Sequence, residues 1–317
     1  MNIIETRNLS QRYWTKVLGF DLGSAKGWTT EVLHDLAFSV PEGSVTALLG
    51  SNGAGKTTLL KVLMNLLRPS AGSAQVFGVE SIRLGERELA QIGYVSENQQ
   101  VPKWMTVQQL LDYCRPFYPT WDRPLEASLL ARFELPVDRK LGELSRGMWM
   151  KALLLSSLAY RPRLLIMDEP FSGLDPVVRD DVTQGLLESV RHGETTVLIS
   201  SHDIEEVERL ADRVALLESG RLKFTEATES LLNRFRRMEV AQEDAWQPGA
   251  IPPSWLAWQS GPGRISFVES AYDREGTEGL CRKHFPFASV QAHPMTLREI
   301  FVALARGTRN QPKGAVV

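Results

Sequence analysis

The sequence predicts an α/β fold with a largely parallel core sheet and a helical insertion, followed by a small C-terminal α+β domain. Three observations carry this. Short apolar runs alternate with amphipathic helical spacing from about residue 1 to residue 225. The runs TALLG, RLLIMD and TTVLIS are apolar throughout, as strands covered on both faces are. Beyond residue 225 the alternation stops and three prolines and a glycine appear in AWQPGAIPPSW.

Taken in order, strands are expected at 2–6, 36–40, 44–49, 91–95, 164–168, 195–200 and 213–218. The stretch TLLKVLMNLL after the third of these has helical spacing. Residues 98–160 are mostly helical in pattern, with apolar spacing in TVQQLLDYC and LEASLLARF, and read as the insertion. TEATESLLNRFRRMEV reads as one amphipathic helix. After it, a hairpin is expected to turn at GPG (261–263) into SFVES, with a helix at 278–283, a strand at 288–291 and a last helix at 297–306. The domains are therefore placed at 1–225 and 226–317.

Composition narrows the function classes. Formal net charge is −2 over 317 residues, so no bulk attraction to nucleic acid or anionic lipid is expected. The two cysteines, Cys114 and Cys281, have no metal or redox spacing, which argues for a reducing compartment without a disulfide framework. MNIIETRNLS is polar rather than basic-then-apolar, so no secretory signal is expected. No apolar run approaches the roughly 20 residues that cross a bilayer. If the chain serves a membrane, it does so through a partner.

Residues 50–58, GSNGAGKTT, fit G-x-x-x-x-G-K-[ST] between an apolar strand and a helix, the context that makes this motif a phosphate loop. The site comprises Gly50, Ser51, Asn52, Gly53, Ala54, Gly55, Lys56, Thr57 and Thr58. Glycines let backbone N–H groups curl around phosphate oxygens, and the helix N-terminus adds partial positive charge there. Lys56 can reach the β- and γ-phosphates, and the Thr57 hydroxyl can ligate Mg²⁺. In LLIMDEP, Asp168 ends a buried strand at the crevice where open α/β sheets bind ligands, where it can hold Mg²⁺ through water. Glu169, next to it, can accept a proton from an attacking water.

Together these motifs resemble the ATP-binding cassette family, the nucleotide-binding subunits of ABC transporters. LSRGM (144–148) is similar to the family signature, usually LSGGQ; SGLDP (172–176) to the D-loop; and ISSHD (199–203) to the switch region with His202. LLRPSAGSAQVFG also fits, and the likeness covers about residues 1–225 in order. LREIFVALARG resembles the last helix of cassettes serving bacterial exporters. The resemblance implies a P-loop NTPase core of ABC ATPase type with antiparallel β and helical subdomains, binding ATP and Mg²⁺ in a head-to-tail dimer. Each ATP would lie between one chain's phosphate loop and the signature of the other, with Ser145 capping a helix aimed at the facing γ-phosphate and Gly147 permitting close approach. His202 would contact the γ-phosphate, and Asp175 would cross to the partner chain.

Two motifs depart from the family pattern. Where its Q-loop glutamine stands, three residues after Tyr94, this chain has Glu97, which can still ligate Mg²⁺ or orient water; the alternative is a solvated loop carboxylate. In the signature, Arg146 adds positive charge near the phosphate contact, and Met148 lies past it. Tyr13 is the favoured platform for adenine, with Trp14 and Trp28 as alternatives.

The resemblance implies an ATP hydrolase that powers a separate integral-membrane permease, an exporter, from the cytoplasmic face of the membrane. A second cassette, in a homodimer, is the other partner. VPKWM (101–105) would dock the permease, unless Trp104 packs inside the helical region. The tail would support the dimer, in preference to binding a regulator or capping the core. Alternatives are a soluble cassette ATPase or a nucleotide-dependent switch uncoupled from transport. DNA- and ribosome-directed cassettes carry duplications, coiled coils or basic stretches, and none is found here.

Overall fold

The computed structural model describes residues 1–16, 27–190, 195–241, 251–261, 263–286 and 288–307. These fall into two compact units, one over Met1–Thr225 and one from Glu226 onward.

The first unit opens with a long strand β1 (Asn2–Lys16), its antiparallel neighbour β2 (Gly27–Leu36) and the short β3 (Ser39–Pro41). Then come β4 (Val45–Leu49), α1 (Lys56–Leu63), β5 (Ala71–Val76), β6 (Val79–Glu80), the single turn α2 (Glu86–Leu89) and β7 (Ile92–Ser96). Three helices follow, α3 (Val107–Cys114), α4 (Arg123–Arg132) and α5 (Arg146–Leu158). The unit closes with β8 (Leu164–Asp168), α6 (Pro176–Val190), β9 (Thr196–Ser201), β10 (Arg213–Glu218) and β11 (Arg221–Ala227).

Two sheets result. One runs β2-β1-β5-β6 with β3 also on β1, and each of its pairings is antiparallel. The other runs β11-β10-β4-β9-β8-β7 and is parallel from β10 to β7. Every residue of β4, β8 and β9 is buried, so both faces of the parallel sheet's centre are covered, as their unbroken apolar runs imply. One core joins the sheets: Ile4, Leu9, Leu33 and Val40 pack with Leu48, Leu59, Ile166, Leu198 and Leu217.

Each inserted helix begins on a side-chain cap. Thr106 accepts from the Gln109 N–H (3.2 Å) while the Gln109 side chain accepts from the Thr106 N–H (2.9 Å). Asp122 accepts from Leu125 N–H (2.9 Å) and Ser145 from Met148 N–H (3.2 Å). The helix α5 packs on β7, α3, α4 and α6, which explains its burial almost all round.

The second unit comprises α7 (Thr228–Arg234), β12 (Arg236–Ala241), β13 (Trp255–Gly261), β14 (Arg264–Glu269), α8 (Arg274–His284), β15 (Ser289–Pro294) and α9 (Leu297–Gly307). Its antiparallel sheet runs β13-β14-β12-β15. Met238, Val240, Trp255, Ile265, Phe267, Cys281 and Phe285 form its core. Buried Glu269 accepts from Trp255 Nε1 (2.9 Å) and the Ala271 N–H (2.8 Å).

Two expectations from the sequence need correction. Residues 225–240 are not one helix: the helix spans only Thr228–Arg234, and RRMEVA forms β12. Met238 and Val240 alternate with Arg237 and Glu239, and burying the first pair on one sheet face outweighs the weak helical spacing. The expected strand at 36–40 is broken at residues 37–38, between the end of β2 at Leu36 and the start of β3 at Ser39. The hairpin at 261–263 joins β13 to β14, with Pro262 outside the described residues.

Candidate functional site

The strands of the parallel sheet end together, and the sequence motifs sit on those ends. The loop from β4 to α1 is held by close backbone approaches. Gly50 donates its N–H to Ser201 O (3.3 Å), and a Cβ at Gly50 would stand 2.4 Å from Leu217 O. Gly55 has φ 106°, and a Cβ there would stand 2.7 Å from Leu33 Cδ2. These two positions require glycine for space, and Gly55 also for conformation. The loop encloses a cavity of about 260 Å³ lined by Ser51, Asn52, Gly53, Ala54, Lys56, Thr57 and Thr58, with Val32 and Glu169 at its edge.

Lys56 is buried, and its ammonium folds back onto its own loop, donating to Gly50 O (2.5 Å) and Ser51 O (3.2 Å). The same nitrogen is 3.0 Å from Glu169 Oε1. An incoming phosphate would therefore take a lysine already engaged with a carboxylate, and freeing that carboxylate is part of the same movement. The Thr57 hydroxyl donates to Asp168 Oδ2 (2.8 Å), and Ser200 Oγ donates to Asp168 Oδ1 (2.6 Å). The Thr57 hydroxyl and buried Asp168 are hard oxygen donors beside a phosphate cradle, a set that fits Mg²⁺ with phosphate oxygens completing its shell.

Glu169 leaves β8 with φ 52°, a left-handed backbone for a non-glycine residue that costs about 1–3 kcal/mol. Two hydrogen bonds from its N–H, to Ser200 O (3.1 Å) and Ser200 Oγ (3.2 Å), hold it there. Its Oε2 is 2.7 Å from His202 Nδ1 and accepts from the His202 N–H (3.3 Å). That hydrogen bond to Glu169 is the main cause that raises the His202 pKa, against some loss from burial. Glu169 thus stands between Lys56 and His202, each within hydrogen-bond reach.

The other expected residues are placed as follows. Tyr13, on β1, lies opposite Thr30 of β2, with its hydroxyl 3.4 Å from Thr58 Oγ1. Trp14 is exposed without such a contact to the loop, and the Trp28 side chain lies outside the described residues. Ser145 caps α5 and is exposed. Gly147 is buried, and a Cβ there would stand 2.7 Å from Val178 Cγ1 of α6, so packing within its own chain is enough to require glycine. Asp175 caps α6, accepting from the Val177 and Val178 N–H groups (3.0 Å each). Glu97 follows β7, whose Ser96 pairs with Asp168, but its carboxylate turns to the Arg146 guanidinium in an ion pair.

The sequence reading missed Val32, Ser200 and the Glu97–Arg146 pair. Ser200 is visible in the sequence, as the first serine of ISSHD, but β9's pairing with β8 is what aims it at Asp168. Val32 comes from a strand beyond residues 17–26 and carries no local signal.

Comparisons with known proteins point to one family. A family model described as ABC transporter matches residues 33–172. The chain is 33% identical over 211 residues to the ABC transporter ATP-binding protein YtrB of Bacillus subtilis (strain 168), covering 67% of this chain and 72% of that one. It is 36% identical over 253 residues to the Nod factor export ATP-binding protein I of Burkholderia orbicola (strain AU 1054), covering 78% of each. A sulfate/thiosulfate import ATP-binding protein, CysA of Salmonella typhi, is 32% identical over 63% of this chain and 57% of its own. Among solved structures, an ATP-binding subunit of an ABC transporter matches at 26% identity and TM-score 0.61, over 73% of this chain and 92% of that one. A dimeric ATP-binding cassette bound to ADP and Pi has the same fold, at 21% identity and TM-score 0.59, over 71% of this chain and 98% of that one. Relatedness at this level, spread over more than two thirds of the first two relatives' lengths, means that the chain belongs to the ABC transporter family as an ATP-binding subunit, an ATPase.

Proposed function

We propose that this chain hydrolyses ATP to power a separate integral-membrane permease, in an exporter, through ATP-driven head-to-tail dimerisation of two copies. The observation that carries the reading is the position of Glu169 between Lys56 and His202 at the strand ends. In the resting chain Lys56 neutralises that carboxylate; with its ammonium drawn to the phosphates, Glu169 is free to accept a proton from water. His202 orients Glu169 and meets the γ-phosphate. Thr57 and Asp168 would hold Mg²⁺, which supplies charge neutralisation at the phosphates. Gly50–Thr58 cradle ATP, and Tyr13, whose hydroxyl approaches Thr58, offers the adenine platform.

Ser145 and Gly147 would serve the partner's nucleotide. The exposed Ser145 cap leaves the α5 N-terminus open to a facing phosphate, and Asp175 shapes the adjoining α6 start. Among the described helices none is long and apolar enough to cross a membrane, so the transport path belongs to a partner. Trp104 is 66% exposed, which removes the alternative that it packs inside the helical region and supports 101–105 as the permease contact on the cytoplasmic face. Export is favoured over import because the exporter relative matches more of both chains than the importer does. Residues from 226 onward support the dimer.

The test is light scattering on Glu169→Gln with and without ATP. A nucleotide-dependent dimer is expected; a chain that binds ATP tightly and stays monomeric at all concentrations would sink the head-to-tail reading.

A further inference from the structure

We propose that Glu97 and Arg146 form a reversible charge latch that positions the loop after β7 against the start of α5, and that Glu97 acts in this chain through Arg146. The inference rests on the proposed function only in assigning those two segments to opposite sides of the nucleotide interface.

The guanidinium of Arg146 ties three segments at once. It forms an ion pair with the Glu97 carboxylate. Its Nη2 is also 3.4 Å from Ser172 Oγ. It lies over Gly173, where a Cβ would stand 2.4 Å from Nη1 and where φ is +63°, so a side chain at 173 would evict it. The loops carrying Glu97, the α5 start and Ser172–Gly173 therefore share one cation.

Helix electrostatics explain why that cation needs Glu97. Arg146 is the first residue of α5, where the partial positive charge of the helix N-terminus disfavours a second positive charge. Ser172 Oγ accepts a hydrogen bond but carries no charge, so Glu97 is the group that neutralises the guanidinium. Both side chains are part-exposed, Arg146 at 46% and Glu97 at 33%, so the pair is modest in strength and sensitive to salt. Such a pair holds a geometry and also releases it.

The neighbouring loop is compatible with release. Gln99 Oε1 is buried without a hydrogen-bond partner among the described residues, so movement of this loop could satisfy an acceptor now left without a donor. On the other side, the Glu97 N–H approaches Asp168 O at 3.5 Å, which ties the same residue to the strand that carries the Mg²⁺ candidate. Glu97 is thus a positioning residue that acts through Arg146, its carboxylate held by the guanidinium at rest and released when the latch opens.

A double-mutant cycle tests this on the full chain with Glu97→Gln, Arg146→Gly, their combination, and the exchanged pair Glu97→Arg with Arg146→Glu. Hydrogen exchange of the nucleotide-free protein is followed at residues 97–101 and 144–147, and ATP turnover is measured in parallel. Each single change is expected to speed exchange by about threefold or more and to lower kcat with little change in KM. The combined variant should be no worse than either single one, the exchanged pair should recover most of the protection, and about 1 M salt should reproduce Glu97→Gln in the unmodified chain. Effects that simply multiply in the combined variant, with no recovery on exchange, would overturn the latch. If no form hydrolyses ATP, the proposed function fails, while exchange in the nucleotide-free chain still decides the latch.

Discussion

The strand-end cluster and the α5 corner both carry charged residues, yet they are built differently. At the strand ends, Lys56 and Asp168 are buried and interlock with Thr57, Ser200, Glu169 and His202 through contacts of 2.6–3.3 Å. At the corner, Ser145 and Arg146 are exposed, and one part-exposed ion pair does most of the joining. The first region is complete within one chain. The second presents a capped helix end outward, the half that the proposed pairing would offer to another chain's nucleotide. A site divided in this way should respond to mutation unequally: chemistry should fail at the strand ends, and geometry at the corner.

The largest effect is expected from Glu169→Gln, with turnover falling on the order of 10²–10⁴-fold while ATP still binds. Turnover close to the unmodified rate would remove Glu169 as the base and erase the contrast. Lys56→Ala comes next. Losing two charge-assisted phosphate contacts at about 1.5–3 kcal/mol each should weaken ATP by 10²-fold or more, readable by calorimetry. Affinity kept within a few-fold would mean that the backbone cradle alone holds the phosphates.

At the corner, Gly147→Ala drives a methyl against Val178 and should lower stability by about 1–3 kcal/mol, seen as a lower Tm. Val178→Ala in the same chain should return most of it. Unrelieved loss of turnover at full stability would instead mean that Gly147 is needed for a partner's phosphate. The smallest effect is electrostatic. Because Glu169 raises the His202 pKa, NMR titration of the nucleotide-free chain should place it above the ordinary value of about 6.5, and Glu169→Gln should bring it down. The charged pair adds stability below that ordinary value, and this contribution is lost as pH rises through the higher folded one. An unchanged midpoint in Glu169→Gln would break the proposed orientation of the base.

The strand-end cluster is legible in the sequence because each part has a local signal. A lysine after glycines, or an acidic pair after the four apolar residues LLIM, is visible within a short window. The corner was legible only in part. Ser145 could be read as a cap, but the reasons for Gly147 and Arg146 lie in Val178 and Glu97, distant in sequence and brought near by packing. The same limit explains β12: RRMEVA has a period of two over a few residues, and only its antiparallel neighbours β14 and β15 show which face is buried. Val32 reaches the phosphate cavity through a β1–β2 pairing that no window around residue 32 contains.

The close approaches of Gly50 to Leu217 and of Gly55 to Leu33, with the Gly220 N–H on Ala54 O (3.0 Å), have a thermodynamic consequence. The phosphate loop is wedged between strands before any nucleotide arrives, so little conformational freedom remains to be lost on binding. Ordering a loop of this kind costs about 1–2 kcal/mol per residue when it must be frozen by the ligand. Here folding has already frozen it, and the entropy of ATP capture is left to the nucleotide, its hydration and the approach of a second chain.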